Sequence, residues 1–177
     1  MLSPLKFSKY IDEKKIAERI SEMAKDVTKL AAKEPLVCVC VLKGSFMFYS
    51  DLIRAVQADV VCDFLGVSSY NGAMQTSGEV KLTLDLTTSI EGKNVLIIED
   101  IVDTGLTMEF LKKTLTLRKP KSLKTAALLL KPESLRVDTK IDYVGFKIQN
   151  DFVVGYGLDY QGYYRNLPFI AQVSNMN

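Results

Sequence analysis

Val95-Leu-Ile-Ile-Glu-Asp-Ile-Val-Asp-Thr-Gly-Leu-Thr107 is the stretch from which the rest of the chain is read. Its first four residues are aliphatic without a polar break, which is how a short strand buried on both faces reads. Such strands belong to parallel sheets, which need helices on both faces. Glu99 and Asp100 then bring two adjacent carboxylates to the sheet edge. Asp103-Thr104-Gly105 opens into a helix predicted from about residue 106 to 119, with Pro120 closing it. A helix start offers unpaired N–H groups and a partial positive charge, and Gly105 permits close backbone approach, so a phosphate can sit there. Thr104 and Thr107 add hydroxyl donors. Adjacent carboxylates are poor companions for a bare phosphate. They suit vicinal hydroxyls, or a Mg²⁺ ion that shares the anion's charge. Together these parts describe a cradle for a ribose 5-phosphate, with acids on the hydroxyls and backbone on the phosphate.

Outward from this stretch, strands and helices alternate. Ile16, Ile20, Met23, Val27 and Leu30 step by four and three, one stripe of a helix over 12–33 that Pro35 ends. Residues 36–42 read as a second buried strand. Lys43-Gly44-Ser45 breaks it, with Ser45 placed to cap a short helix from Phe46 to about Val56. A strand is predicted over 60–67, a polar loop over 68–79 and an alternating, half-exposed strand over 80–85. A loop of that length inside a compact domain points to function or disorder. On the other side, 124–130 forms a buried strand ending at Lys131-Pro132, and shorter strand-like pieces follow at 143–146 and 152–155. This order implies right-handed crossovers and a mainly parallel sheet, with ligands at the carboxyl ends of the strands. The loops to watch are therefore 43–45, 99–105 and 131 onward.

With 177 residues the chain is about one domain, taken here as 1–177 without linker or repeat. Hydrophobic residues are 47% and charged residues 25%, and the net charge is +2, too near neutral for a polyanion-coating protein. There is no histidine, which excludes Ser-His-Asp and Cys-His nucleophile schemes and every imidazole acid, base or metal ligand. Proton transfer must then use Asp, Glu, Lys, Tyr or Cys. Cys38, Cys40 and Cys62 read as small core residues of a reducing compartment. The first residues carry no signal-like apolar core, no segment nears the roughly 20 apolar residues of a membrane span, and N-x-S/T is missing. A cytoplasmic location without membrane or nucleic-acid partners is the expectation. No G-x-x-x-x-G-K-[ST] is present, and Gly155-Tyr-Gly157 lacks a third glycine at Tyr160.

The string from Val95 to Thr107 resembles the phosphoribosyl-pyrophosphate motif of the type I phosphoribosyltransferases. Further segments narrow the resemblance to the hypoxanthine-guanine phosphoribosyltransferases, over about residues 16–166. Leu42-Lys43-Gly44 is similar to that family's pyrophosphate loop, with its non-proline cis peptide, and Ser69-Tyr70 to the dipeptide of its closing loop. Lys131 matches the lysine that reads the exocyclic oxygen of a 6-oxopurine. The segment from Asp151 to Tyr160, with Arg165, resembles the hood. By that resemblance Phe152 stacks on the base, Val153 offers it backbone groups, Asp159 binds Mg²⁺ and Arg165 meets pyrophosphate.

The implied fold is α/β, a mainly parallel central sheet flanked by helices with a small hood from N- and C-terminal segments. The implied reaction moves the 5-phosphoribosyl group from phosphoribosyl pyrophosphate to N9 of hypoxanthine or guanine. Mg²⁺ is the implied cofactor, with Glu99 and Asp100 near the ribose and the metal, and Asp103 exchanging a proton with N7. The 5-phosphate lies on Thr104, Gly105, Leu106 and Thr107, the pyrophosphate on Lys43, Gly44 and Arg165. Relatives form homodimers or homotetramers. Two departures stand out: Leu106 replaces a lysine common in the phosphate loop, and Asp151 precedes the stacking phenylalanine where Lys or Glu is frequent. By residue type alone, Lys131 also fits a strand-end lysine, Phe152 a core aromatic and Asp159 a turn residue. A transferase for xanthine, adenine or orotate, an RNA-binding regulator and a plain nucleotide-binding domain remain as alternatives.

Overall fold

The computed structural model describes residues 5–32, 34–69 and 80–175. In chain order the elements are β1 (Lys6–Ile11), α1 (Glu13–Ala31), β2 (Leu36–Leu42), α2 (Phe46–Ala55), β3 (Val60–Ser69), β4 (Val80–Leu84), β5 (Asn94–Val102), α3 (Leu106–Thr116), β6 (Ser122–Leu130), β7 (Tyr143–Lys147), β8 (Val153–Val154) and β9 (Ile170–Asn175), with a 3₁₀ turn at Pro132–Ser134. The central sheet has the order β4-β3-β2-β5-β6-β7. Every neighbouring pair in it is parallel except β3 with β4. A second, antiparallel sheet, β1-β9-β8, joins the two ends of the chain into the hood.

The uninterrupted aliphatic runs become the middle of the sheet because both of their faces are covered. Leu36, Cys38 and Cys40 of β2, Leu96 and Ile98 of β5, and Ala126 and Leu128 of β6 share one apolar cluster with α1 and α2. The alternate residues, Val37, Val39, Val41, Val95, Ile97 and Ala127, share another with α3. Helix α1 buries Ile16, Ile20, Met23 and Val27, and Asp12 caps it by accepting from the Lys15 N–H at 2.9 Å. Arg19 on the same helix donates to the carbonyls of Gly145 (2.9 Å) and Val144 (2.6 Å), which locks α1 to the edge strand β7.

Four readings of the sequence need correction. Strand β5 does not stop at Ile98 but stays paired with β6 through Val102, so Glu99 and Asp100 lie within the strand. Ser45 occupies the N-cap position of α2 without capping it; its buried hydroxyl donates to the Val41 carbonyl at 2.5 Å, the acceptor left at the end of β2. Helix α3 ends at Thr116, and the chain turns through Lys119 at φ +54° before Pro120. Cys38 and Cys40 are buried, which pushes their thiols up to about 12 and about 11, whereas Cys62 is exposed on β3. The remaining boundaries shift by one or two residues, as where β3 runs on to Ser69.

Asp63 is a charged residue inside this scaffold, 3% exposed on β3. Its carboxylate accepts from the N–H groups of Phe64 (2.8 Å), Thr87 (3.0 Å) and Thr88 (2.7 Å), pinning the chain that leads into β5. Burial pushes the carboxyl up, but these N–H groups outweigh it and hold the group below its usual value. The stabilisation is therefore complete above a pH of about 4 and is lost as pH falls through the lowered folded-state value. Asp63→Asn should cost roughly 2–3 kcal/mol in urea unfolding at pH 7, and the gap from the parent should narrow at pH 3. A gap independent of pH would assign the loss to packing.

Candidate active site

The carboxyl ends of β2, β5 and β6 meet between α2, α3 and the hood. Because Glu99 and Asp100 are successive strand residues, their side chains leave opposite faces of the sheet. Glu99 lines a cavity of about 90 Å³ on the α3 side, shared with Asp103, Thr104, Gly105 and Thr107. It is 8% exposed, and among the described residues its Oε2 has no hydrogen-bond partner. Burial, reinforced by the Asp100 charge, drives its carboxyl well above the ordinary range. Asp100 leans the other way, toward Gly44. Burial pushes it up to about 6, although backbone N–H groups and Arg165 pull down.

The turn from β5 into α3 leaves the helix start open. Gly105 sits at φ +81° immediately before α3. A Cβ there would lie 2.9 Å from Thr139 Cγ2 and 3.0 Å from Val137 Cγ2, so the turn is backed by 137–139, and this crowding adds to the strain any side chain would meet at that φ. The same segment is tied by the Arg136 N–H to the Thr104 carbonyl at 2.9 Å. Among the described residues, no side chain satisfies the start of α3 beyond a long 3.4 Å contact from the Leu106 N–H to Thr104 Oγ1. Its first-turn N–H groups are thus available to an anion in the cavity.

On the opposite side, the Leu42-Lys43 peptide is cis, as the resemblance implies, and Lys43 is exposed. A Cβ on Gly44 would fall 1.7 Å from Asp100 Oδ2, and one on Gly157 would fall 2.0 Å from the Gly44 carbonyl. Arg165 donates to the Gly157 carbonyl at 2.5 Å and pairs with Asp159 at 2.6 Å. The other Asp159 oxygen accepts from the Gly162 N–H at 2.7 Å. Asp100, Gly44, Gly157, Arg165 and Asp159 therefore form one continuous stack.

Lys131 is 6% exposed at the end of β6 and donates to Asp103 Oδ2 at 2.8 Å, a bond that links the two residues assigned to the base. Half-buried Phe152 meets Tyr160 edge-on at 5.9 Å, and Val153 is buried in β8. Ser69 ends β3, while Tyr70 and the rest of the expected closing loop to 79 lie outside the described residues. Sequence reading passed over Gly157 and Tyr156. The signal was present in Gly155-Tyr-Gly157, whose two glycines mark close backbone approach rather than a dinucleotide fingerprint.

Among the described residues no group of three or more His, Cys, Asp or Glu side chains is arranged around a metal. The carboxylates at the strand end are Glu99, with its orphaned oxygen, and Asp100, one on each face of β5; among the described residues neither forms an ion pair, though Arg165 is near enough to Asp100 to pull its carboxyl down. That fits a hard cation such as Mg²⁺, which takes one or two carboxylates and fills its other positions with water and substrate oxygens.

The model of the phosphoribosyl transferase domain family matches residues 8–161. A hypoxanthine-guanine phosphoribosyltransferase of Dictyostelium discoideum is 46% identical over 165 residues, 91% of this chain and 92% of that protein. The enzyme of the same name from Staphylococcus aureus is 48% identical over 161 residues, 91% of this chain and 90% of its own length. A crystal structure of a hypoxanthine-guanine phosphoribosyltransferase from Bacillus anthracis superimposes with a TM-score of 0.90 at 46% identity, covering 96% of this chain and 99% of the other.

The raised carboxyl of Asp100 has a measurable consequence for stability. Its cost to the folded chain grows as pH rises from about 4, where the unfolded group ionises, to about 6, and is constant above that. Asp100→Asn should therefore stabilise the ligand-free protein by about 1–3 kcal/mol at pH 8 and by almost nothing at pH 4. Urea unfolding at the two pH values checks this, and destabilisation at pH 8 would contradict it.

Proposed function

The chain belongs to the phosphoribosyl transferase family, and from that premise we propose how its residues carry out purine salvage. The reaction transfers the 5-phosphoribosyl group of phosphoribosyl pyrophosphate to N9 of hypoxanthine or guanine, giving the nucleoside monophosphate and pyrophosphate. The observation that carries the assignment is the pair Glu99 and Asp100, both held above the ordinary carboxyl range by burial, beside the uncapped start of α3. Such a pair serves a substrate that combines vicinal hydroxyls, a phosphate and growing positive charge on the sugar.

As the C1–O bond to pyrophosphate breaks and the N9–C1 bond forms, the ribose becomes oxocarbenium-like. Glu99 and Asp100 stabilise that charge from opposite faces of β5. The amides from 104 to 107 and the hydroxyls of Thr104 and Thr107 hold the 5-phosphate. With Leu106 in place of a lysine, the grip rests on the backbone. Lys43, the Gly44 amide and Arg165 take the charge of the departing pyrophosphate. Glu99 or Asp100 would hold Mg²⁺ through a single carboxylate, and the bound ion would add positive charge to the same leaving group. Each Asp159 oxygen already accepts one bond, from Arg165 and from the Gly162 N–H, so Asp159 would hold the ion through the lone pairs those bonds leave free.

Asp103 takes the purine proton, in a chain with no histidine to do so. Lys131 has three N–H donors, so it can keep Asp103 oriented while donating to the 6-oxo oxygen of the base. Phe152 and Val153 close over the purine from the hood. Ser69, at the end of β3, and Tyr70 match the dipeptide of the family's closing loop, whose role would be to keep water from the electrophile. A single domain over 1–177, cytoplasmic and assembled as a homodimer or homotetramer, completes the proposal. No helix among the described residues is long and apolar enough to cross a membrane.

Incubation with phosphoribosyl pyrophosphate, Mg²⁺ and each purine in turn should yield nucleotide from hypoxanthine and guanine and none from adenine, followed by absorbance. Asp103→Asn should lower kcat about 100-fold and leave KM for phosphoribosyl pyrophosphate within about twofold. Equal losses in both parameters would make the residue structural.

A further inference from the structure

The hood segment Gly155-Tyr156-Gly157 runs through three consecutive positive φ angles, +95°, +50° and +99°. Two of these are glycines, for which the region is open; the third is a tyrosine, for which it is unfavourable. A bulky residue persists there only when its surroundings hold it. Tyr156 is held at both ends. Its N–H donates to the Leu167 carbonyl at 2.9 Å. Its hydroxyl donates to Asp51 Oδ2 at 2.5 Å, across 105 residues of sequence. The ring is 7% exposed, and burial together with the neighbouring Asp51 carboxylate raises the phenol far above its ordinary value, so it stays a donor.

Asp51 lies on α2, the helix that begins directly after the pyrophosphate loop. The groups assigned to pyrophosphate come from both partners of this contact. Lys43 and Gly44 belong to the loop that opens α2, whereas Arg165 belongs to the hood and is fixed by the Gly157 carbonyl, one residue from Tyr156. Gly157 against the Gly44 carbonyl limits how closely the two approach, but such a contact does not hold them together. A cavity of about 520 Å³ opens at this junction, lined by Ile16, Ile20, Met47, Asp51, Tyr156 and Leu167. Beside such a void, a short hydrogen bond to a charged acceptor is the stiffer constraint.

We propose that Asp51 and Tyr156 are a positioning pair that fixes the hood against α2, and so sets the gap between Arg165 and the Lys43-Gly44 loop into which pyrophosphate fits. Neither residue touches substrate. The inference rests on the functional reading above and deepens it. It separates the ligands by geometry: pyrophosphate and phosphoribosyl pyrophosphate bridge the gap, whereas a nucleoside monophosphate occupies the base and 5-phosphate sites without doing so.

The test compares the parent with Tyr156→Phe, Asp51→Ala, Asp51→Asn and the double variant Tyr156→Phe/Asp51→Ala. KM for phosphoribosyl pyrophosphate, Kd for pyrophosphate with Mg²⁺, Kd for inosine monophosphate and Tm are measured for each. Tyr156→Phe and Asp51→Ala should each raise the first two about tenfold, with inosine monophosphate binding unchanged within about twofold. The double variant should be no worse than either single one, because both remove the same bond. Asp51→Asn, whose amide oxygen still accepts from the phenol, should stay within about threefold of the parent. Parallel weakening of inosine monophosphate and pyrophosphate binding, or a lowered Tm with KM for phosphoribosyl pyrophosphate unchanged, would overturn the proposal. A parent protein that makes no nucleotide from either 6-oxopurine would overturn the functional reading itself, and this inference with it.

Discussion

The site is organised around two carboxylates that β5 carries into protein, neither of which forms an ion pair among the described residues. Glu99 has an oxygen with no partner, and Asp100 is held well above the ordinary range of an aspartate. Burying ionised groups in this way costs free energy, which the packed sheet around them supplies. The strands beneath are unbroken aliphatic runs covered on both faces, so the cost falls on the most rigid part of the fold. A ligand that brings hydroxyl donors and positive charge relieves the strain at the moment of binding. Stability of the empty protein and affinity for substrate are thus opposed at the same two residues.

The remainder of the site follows from how closely other backbone must approach that pair. Gly44 lies against Asp100 with no room for a Cβ, and Gly157 lies against Gly44 in the same way. The hood consequently rests on the pyrophosphate loop through two glycines, and Arg165 enters from above through its bond to the Gly157 carbonyl. On the other face of β5, Gly105 turns the chain into α3 against Val137 and Thr139. Three glycines, each at a close approach to a named neighbour, bring the groups assigned to phosphate, sugar and pyrophosphate to one strand end.

Much of this was legible in the sequence, for physical reasons that differ by element. The buried strands declared themselves through uninterrupted Val, Ile, Leu and Cys, and α1 through its four-and-three spacing, because burial on a rigid surface imposes periodicity. The acidic dipeptide and the Asp103-Thr-Gly turn were recognisable because their chemistry is local. The hood strands β1 and β9 were not read as strands. Lys6–Ile11 is mostly exposed, so nothing in its pattern alternates, and its pairing is decided by residues some 160 positions away. Ser45 failed as a cap because the Val41 carbonyl competed for its hydroxyl, and Cys62 proved exposed because β3 lies toward the edge of the sheet. The bond between Tyr156 and Asp51 left no local trace, since each residue looks ordinary until the fold brings the hood onto α2.

The most direct measurement is a crystal structure of the chain with phosphoribosyl pyrophosphate and Mn²⁺ in place of Mg²⁺, with anomalous data locating the metal. The 5-phosphate should lie on the amides of 104–107, the ribose hydroxyls within hydrogen-bond reach of Glu99 or Asp100, and the anomalous peak beside one of those carboxylates. A phosphate bound elsewhere, with Glu99 and Asp100 facing only protein, would contradict this.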